Sequence, residues 1–384
     1  MFEPMSTMPM RFTPPSLAQT KKTVARVVTL ALLLYGFLVG LDLMGIAFKL
    51  FGGDFAERLI SQTANPFVGL FVGILATSLV QSSSTTTSIA VTLVASGSLT
   101  IEGAIPIIMG ANIGTSVTNT VVSLAHVTRR EEFQRAFAGA TVHDIFNWIA
   151  VLILFPVEYF THYLARISRL VTSGLEGVGG IELFNPLKAA VRPTAELVSG
   201  LTGESAIWTL VVSLTLLMLS LKLLVDFLKV VMSERAEQVL NRTLFRSPVA
   251  AILAGALMTV MVQSSSITTS AIVPLVGAGI VTLEQLFPFT VGANIGTTIT
   301  AMLAALSTGS PAAVAVAFSH LIFNLTATLI IYVPPMMRRI PLAVAAALGR
   351  LGSRNRVLAG VYIVVVFFGI PLLLLFISGA FSGE

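Results

Sequence analysis

The chain is 384 residues long, 55% hydrophobic and only 11% charged, with a formal net charge of +5. Typical soluble domains carry about 25% charged residues, so this chain cannot cover its surface with polar groups in water. Its basic residues lie in short connectors without aromatic interleaving, which argues against nucleic acid as a partner, and the lack of cysteine excludes disulfides, thiolate metal sites and cysteine nucleophiles.

In chain order, residues 1–23 are rich in Pro, Met and Thr, too polar for a signal-peptide core, and read as a flexible cytoplasmic tail. Apolar stretches follow at about 27–51, 66–80, 86–97, 104–126, 136–157, 206–228, 249–262, 268–281, 286–306, 312–333 and 357–377. Several approach 20 residues, enough for a helix to cross a hydrocarbon core of about 30 Å. Between residues 59 and 128 the only formal charge is Glu102, and between 247 and 337 it is Glu284. The expected fold is an all-α polytopic membrane protein. It divides into a membrane unit over 24–157, an extracytoplasmic connecting segment over 158–205, and a second membrane unit over 206–378. The second unit contains a cytoplasmic connector at about 229–247, and 379–384 form a short tail.

The stretches flanking Gln81 and Gln263 run only 12–15 residues, too short to span a bilayer. Such pairs predict re-entrant or broken helical hairpins, which are tolerated where protein or an aqueous cavity surrounds them. The plainer reading is two buried helices joined by a polar loop.

Sliding the chain against itself by 182 residues superposes 73–118 on 255–300 without a gap, with 25 identities in 46 positions. Gln81-Ser82-Ser83-Ser84 falls on Gln263-Ser264-Ser265-Ser266, and Gly110-Ala111-Asn112-Ile113-Gly114-Thr115 on Gly292-Ala293-Asn294-Ile295-Gly296-Thr297. Further on, His143-Asp144-Ile145-Phe146-Asn147 matches His320-Leu321-Ile322-Phe323-Asn324. The chain is an internal duplication.

Basic residues cluster in the N-terminal tail and at 129–135, 222–246 and 338–356, and the positive-inside rule places these in the cytoplasm. The connector after the first Asn-bearing stretch is basic, whereas its counterpart, Ser307-Thr308-Gly309-Ser310, is uncharged and expected outside. Corresponding loops on opposite faces predict two inverted repeats, each with a hairpin carrying Gln-Ser-Ser-Ser, an organisation found in secondary transporters. The same count leaves the tail beyond residue 377 outside.

Each Gln-Ser-Ser-Ser run sets an amide and three hydroxyls in an apolar surround. Hydroxyls both donate and accept, so they suit an oxyanion and a hard cation alike. If the hairpins break at these runs, the following half-helices start there and present free N–H groups to an anion. Gly-Ala-Asn-Ile-Gly-Thr places a buried Asn between glycines that permit an unwound turn or a close backbone approach. Thr100 before Glu102 and Thr282 before Glu284 read as helix starts, with both acids capping or interfacial. His143 with Asn147, and His320 with Asn324, share a helix face and are expected to bond to the neighbouring repeat. Asp144, an acid in an apolar helix replaced by Leu321 in the other repeat, is a candidate cation ligand, unless it pairs with Arg135. With no Lys or Arg around the motifs, an anion would need cations to enter with it, and oxygen-only ligands suit a hard ion such as sodium. The residues alone leave both ions unnamed, and an anion channel or a symporter for another oxyanion remain alternatives. A serine hydrolase is disfavoured, because nothing singles out one serine and its base.

The doubled Gln-Ser-Ser-Ser, each followed by Gly-Ala-Asn-Ile-Gly-Thr and then His-x-Ile-Phe-Asn, resembles the type II sodium-dependent phosphate cotransporters. The match covers roughly 67–157 and 249–334. The resemblance implies a multi-pass protein of the plasma membrane with a cytoplasmic N-terminus, taking up hydrogen phosphate with sodium, with no other cofactor and no enzymatic activity. Carried over, Ser82, Ser83, Ser84, Ser264, Ser265 and Ser266, with Asn112 and Asn294, are candidate phosphate contacts. Gln81, Gln263, Thr115, Thr297, Thr118, Thr300 and Asp144 are candidate sodium ligands, and the Gln and Asn amides alternatively orient the hairpins. Asp144 further implies electrogenic transport. The chain departs from larger relatives in lacking a cysteine-bearing external loop and a final span.

Overall fold

A computed structural model of the chain describes residues 17–51, 63, 65–177, 185–232 and 247–378. Among them there is no strand, and six helices are long and apolar enough to cross a membrane. The elements are α1 (Leu17–Leu50), α2 (Pro66–Val80), α3 (Ser83–Ser96), α4 (Ile101–Gly114), α5 (Val117–Ser123), α6 (Arg130–Thr161), α7 (Tyr163–Gly177), α8 (Asn185–Leu201) and α9 (Ala206–Met232). The second half continues with α10 (Pro248–Val262), α11 (Ser265–Ser270), α12 (Val273–Gly277), α13 (Leu283–Thr308), α14 (Pro311–Ala327), α15 (Pro335–Arg354), α16 (Arg356–Val364) and α17 (Ile370–Ile377). One π-helical turn (Thr328–Tyr332) extends α14, and another (Val365–Gly369) joins α16 to α17.

The expected N-terminal tail covers residues 1–23. α1 begins at Leu17, because after Pro15 no helix breaker interrupts the run into the first apolar stretch. The rest of the tail, residues 1–16, lies outside the described residues, as do 379–384 and most of the 229–247 connector, into which α9 extends as far as Met232.

The two short hairpin helices of each half are built by matching local rules. Asn65 caps α2 by accepting from the Phe67 N–H, Ser247 caps α10 by accepting from Ala250, and each helix opens on a proline. Both helices end on glutamine in the left-handed region, Gln81 at φ 56° and Gln263 at φ 56°. A residue other than glycine costs about 1–2 kcal/mol there, so both breaks are held by their surroundings. Ser82 and Ser264 are extended and restart the chain as N-caps of α3 and α11. The hydroxyls of Thr77 and Thr86 bond at 2.9 Å across the first hairpin and draw its arms together.

Beyond the break the halves differ. α3 runs 14 residues, whereas α11 stops after six and α12 starts at Val273. Pro274 stands where the first half has Thr92; it has no N–H to give the preceding turn, while Thr92 bonds back to the Ser88 carbonyl at 2.8 Å.

Two glycine crossings hold each hairpin to the Asn-bearing helix behind it. A Cβ on Gly73 would lie 2.1 Å from the Ile107 carbonyl oxygen and one on Gly110 would lie 2.0 Å from that of Leu70. The second half repeats this, with Gly255 at 2.0 Å from the Phe289 oxygen and Gly292 at 1.9 Å from that of Ile252. The motif glycines therefore serve close backbone approach, and Gly110–Gly114 is helical, not unwound.

One hydrophobic core is shared by the halves, joining Val142, Phe146 and Val151 of α6 to Phe287, Val291 and Phe323. The connecting helices are tied by ion pairs to the first half. Arg169 of α7 pairs with Glu102, and Arg192 of α8 reaches Asp42 of α1 at 3.5 Å. Large apolar side chains such as Leu152, Phe160, Val364 and Phe376 are exposed on the outer helices, as a lipid-facing surface requires.

Gly110→Ala and Gly292→Ala should each destabilise the protein by about 1–3 kcal/mol through forced separation of the crossing helices. Gly360→Ala, where nothing lies within 4 Å, should not. Thermal unfolding in detergent, followed by intrinsic fluorescence, distinguishes them.

Candidate functional site

The polar motifs meet at the centre of the shared core. The Ser84 hydroxyl donates to the Gln263 carbonyl at 3.2 Å, so the start of α3 abuts the break in the other half. The Ser266 hydroxyl donates to the Thr115 carbonyl at 3.4 Å, at the end of α4. The duplicated serines thus lie against each other's repeat.

Within each run the three serines divide the work. Ser82 accepts from the Thr85 N–H and hydroxyl, and Ser264 from the Ile267 N–H, so both act as helix caps. Ser84 and Ser266 reach across. The hydroxyls of Ser83 and Ser265, both buried, make no hydrogen bond with any described residue, and neither do the N–H groups of Ser83, Ser84, Ser265 and Ser266. Those four N–H groups occupy the first turns of their helices, where no intrahelical acceptor exists.

A network of neutral side chains backs these serines. His143 Nε2 faces Asn294 Oδ1 at 2.6 Å, the Asn294 amide donates to Asn147 Oδ1 at 2.7 Å, and Asn147 donates to the Asn112 carbonyl at 2.6 Å. Asn324 donates likewise to the Asn294 carbonyl at 3.2 Å, and His320 Nε2 meets Asn112 Oδ1 at 3.4 Å. The histidines therefore bond to the opposite repeat. At the other edge of His143, Nδ1 lies 3.3 Å from the Asn119 amide nitrogen, and Asn119 Oδ1 accepts from the Thr269 hydroxyl at 2.9 Å. Because Asn147 donates to the Asn112 carbonyl and Asn294 donates to Asn147, Asn294 Oδ1 is left to accept from His143, and the imidazole carries its proton on Nε2.

Asp144 is fully buried and bonds to two hydroxyls, Ser116 at 3.0 Å and Tyr362 of α16. Arg135 is engaged elsewhere, on the Gly277 carbonyl at 2.9 Å. Ser116 sits where the backbone leaves α4 before α5 begins, whereas α13 runs unbroken through the matching Thr298, opposite Leu321. Among the described residues no group of three or more His, Cys, Asp or Glu side chains is placed to hold a metal. A cation here would be held by hydroxyl, amide and carbonyl oxygens with at most this one carboxylate.

The remaining sequence-predicted residues are distributed unevenly. Gln263 is buried, donates to the Val260 carbonyl at 2.5 Å and accepts from the Thr300 hydroxyl at 2.8 Å. Its counterpart Gln81 is exposed, and Thr118, which matches Thr300, has a buried hydroxyl with no partner. Thr115 and Thr297 bond back to the carbonyls of Ala111 and Ala293 within their own helices. Thr100 and Thr282 cap helix starts as expected, the latter in a capping box with Gln285. Sequence reading missed Ser116, Asn119 and Tyr362. Only Asn119 carried a signal, as an amide one turn beyond the Asn-bearing motif in an otherwise apolar run.

These features define a polytopic helical membrane protein with a neutral, duplicated polar centre. The family model described as Na+/Pi-cotransporter matches residues 37–175 and 216–374, and the chain belongs to that family. It is 37% identical over 446 residues to the human sodium-dependent phosphate transport protein 2B, covering 91% of this chain and 64% of that protein. It is also 37% identical over 443 residues to the rat sodium-dependent phosphate transport protein 2A, covering 95% and 69% respectively. The chain thus spans about two thirds of the length of these relatives. No solved structure matches it.

Asn119→Ala and Thr269→Val should each cost about 1–2 kcal/mol, since each leaves a buried polar group unpaired. In a double-mutant cycle on unfolding stability, strictly additive losses would contradict a direct Asn119–Thr269 bond.

Proposed function

We propose that the chain is a sodium-coupled symporter that takes up inorganic phosphate. The observation that carries this is the pair of helix starts at Ser83–Ser84 and Ser265–Ser266. Each offers two unbonded N–H groups and one unbonded hydroxyl in a buried setting. That donor set suits a tetrahedral oxyanion. Among the described residues, no lysine or arginine bonds to these serines. A phosphate dianion there would sit without fixed positive charge, and co-binding of sodium on the surrounding hydroxyl, amide and carboxylate oxygens would compensate it. Family membership and the names of the relatives above support the same substrate and ion.

On this reading Asn112 and Asn294 hold the hairpins in place from behind, while Ser82 and Ser264 fix the helix starts. Asp144 serves as a cation ligand whose charge makes transport electrogenic, and Tyr362 and Ser116 position it. The two halves are inverted in the plasma membrane, with the N-terminus in the cytoplasm, and access alternates around the serines. The unequal glutamines support alternation. Gln263 held by Thr300 and Gln81 released from Thr118 are the two states of one contact, and the cycle exchanges them.

In proteoliposomes, phosphate uptake should require an inward sodium gradient. Ser83→Ala with Ser265→Ala should lower it about tenfold or more, which corresponds to about 1.4 kcal/mol of lost binding. Asp144→Asn should remove the response to membrane potential. Phosphate flux indifferent to sodium would overturn symport in favour of an anion channel. For the exchanging contact, Gln81→Ala and Thr118→Val are combined and uptake rates measured. Non-additive effects are expected, and additive ones would refute the contact.

A further inference from the structure

On the face bearing the basic connectors, a cavity of about 320 Å³ opens between α6, the start of α13 and α15. Its lining includes Gln134, Arg135, Gly279, Glu284, Ala346 and Arg350. None of these belongs to the serine site.

The cavity is built by close backbone contacts. Arg135 donates through Nε to the Gly277 carbonyl at 2.9 Å, which fixes the plane of its guanidinium. Gly279, at φ 76°, leaves space beside it; a Cβ there would lie 3.6 Å from Arg135 Nε and 3.8 Å from Cζ. The terminal nitrogens of Arg135 form no ion pair with any described residue. Arg350 comes from α15, which approaches α6 so closely that a Cβ on Gly349 would be 2.5 Å from the Gln134 carbonyl oxygen. Gln134 Oε1 lies 3.4 Å from the Ser353 hydroxyl, which is shared with the Arg350 carbonyl at 3.0 Å.

Two exposed guanidinium groups, one from α6 and one from α15, thus line one space with the Gln134 side chain, and among the described residues no acid pairs with either arginine. Glu284 stands at the rim. Its counterpart in the first repeat, Glu102, is paired with Arg169, but Glu284 forms no ion pair with any described residue. Solvated arginines on a polar face need no ligand, but an anchored guanidinium with its outer N–H groups unbonded is a preformed oxyanion donor.

We propose that this cavity is a second anion site, distinct from the serine helix starts, and that it takes a phosphate group, either inorganic phosphate or the phosphodiester of a lipid headgroup. With two cations against one carboxylate, its net charge suits a monoanionic phosphodiester better than a dianion. Basic pockets at helix ends near a membrane surface are placed to meet such headgroups. A ligand there would bridge α6 of the first repeat to α13 and α15 of the second.

The chain has no cysteine, so Ala346→Cys provides a single reporter inside the cavity, and Leu283→Cys a second should the first perturb it. Purified full-length protein is kept in maltoside micelles without sodium, so that the proposed transport site is silent and its failure would not affect the outcome. Maleimide labelling is measured with inorganic phosphate in one arm. In the other, phosphatidylglycerol is mixed into the micelles, with diacylglycerol as the phosphate-free control. At ten times its Kd the ligand should slow labelling about tenfold in at least one arm, which identifies its source. Arg135→Gln with Arg350→Gln should abolish the protection while leaving the unprotected rate unchanged. No protection in either arm, or protection that survives the double substitution, would overturn the proposal.

Discussion

The structure depends on one constraint, that polar groups buried at the centre of a membrane-embedded chain must satisfy one another without recourse to water. Asn147 and Asn324 donate to the Asn112 and Asn294 carbonyls, and the histidines cross to Asn294 and Asn112, so each repeat completes the hydrogen bonds of the other. The bonds are directional. Asn147 donates to the Asn112 carbonyl and Asn294 to Asn147, which leaves Asn294 Oδ1 to accept from His143 and sets one proton position for that chain of contacts. The network is not fully closed, since His320 Nδ1 and Asn324 Oδ1 are buried without a partner. Beside it, the first two N–H groups of α3 and of α11 and the hydroxyls of Ser83 and Ser265 bond to no described residue.

Duplication supplies matching parts, and the departures from matching fall at three places. Pro274 divides the second hairpin arm where Thr92 keeps the first continuous. The helix of the first asparagine motif stops at Gly114, and Ser116 beyond it turns to Asp144; α13 continues through the same place beside Leu321. The same sequence, Gln-Ser-Ser-Ser, is exposed at its glutamine in one half and buried in the other. Identical motifs thus stand in unequal environments, the asymmetry on which the proposed alternation of access rests.

Much of this was legible in the residues. The hairpin breaks followed from stretches too short to span a bilayer, the helix starts from Thr100 and Thr282, and the cross-repeat bonds of the histidines from the spacing of four between His and Asn. The glycines were ambiguous between an unwound turn and a close crossing; the crossing prevailed because Gly73 and Gly110 face carbonyls on opposing helices, a fact no local pattern encodes. Tyr362 and Ser116 were illegible for a related reason. Tyr362 lies 218 residues from Asp144 and Ser116 lies 28, and neither spacing distinguishes a partner from any other hydroxyl in an apolar run. The division of labour among the three serines was hidden too, since capping depends on the extended backbone at Ser82 and Ser264.

Asp144 joins these strands. A carboxyl group fully removed from water and bonded to two hydroxyls keeps acceptor sites free, and in its ionised form it has no counter-ion, since hydroxyl dipoles do not replace one. Arg135 would be the obvious counter-ion by sequence, yet its guanidinium is turned to the Gly277 carbonyl and the cavity at the basic face. The serine helix starts are uncompensated in the opposite sense, offering donors but, among the described residues, no formal charge. An anion at the serines and an acid at Asp144 therefore both call for mobile cations, and neither can be neutralised by the other. Coupling on this account needs no dedicated latch between ion and substrate: the protein withholds fixed positive charge from its centre, and whatever enters must bring it.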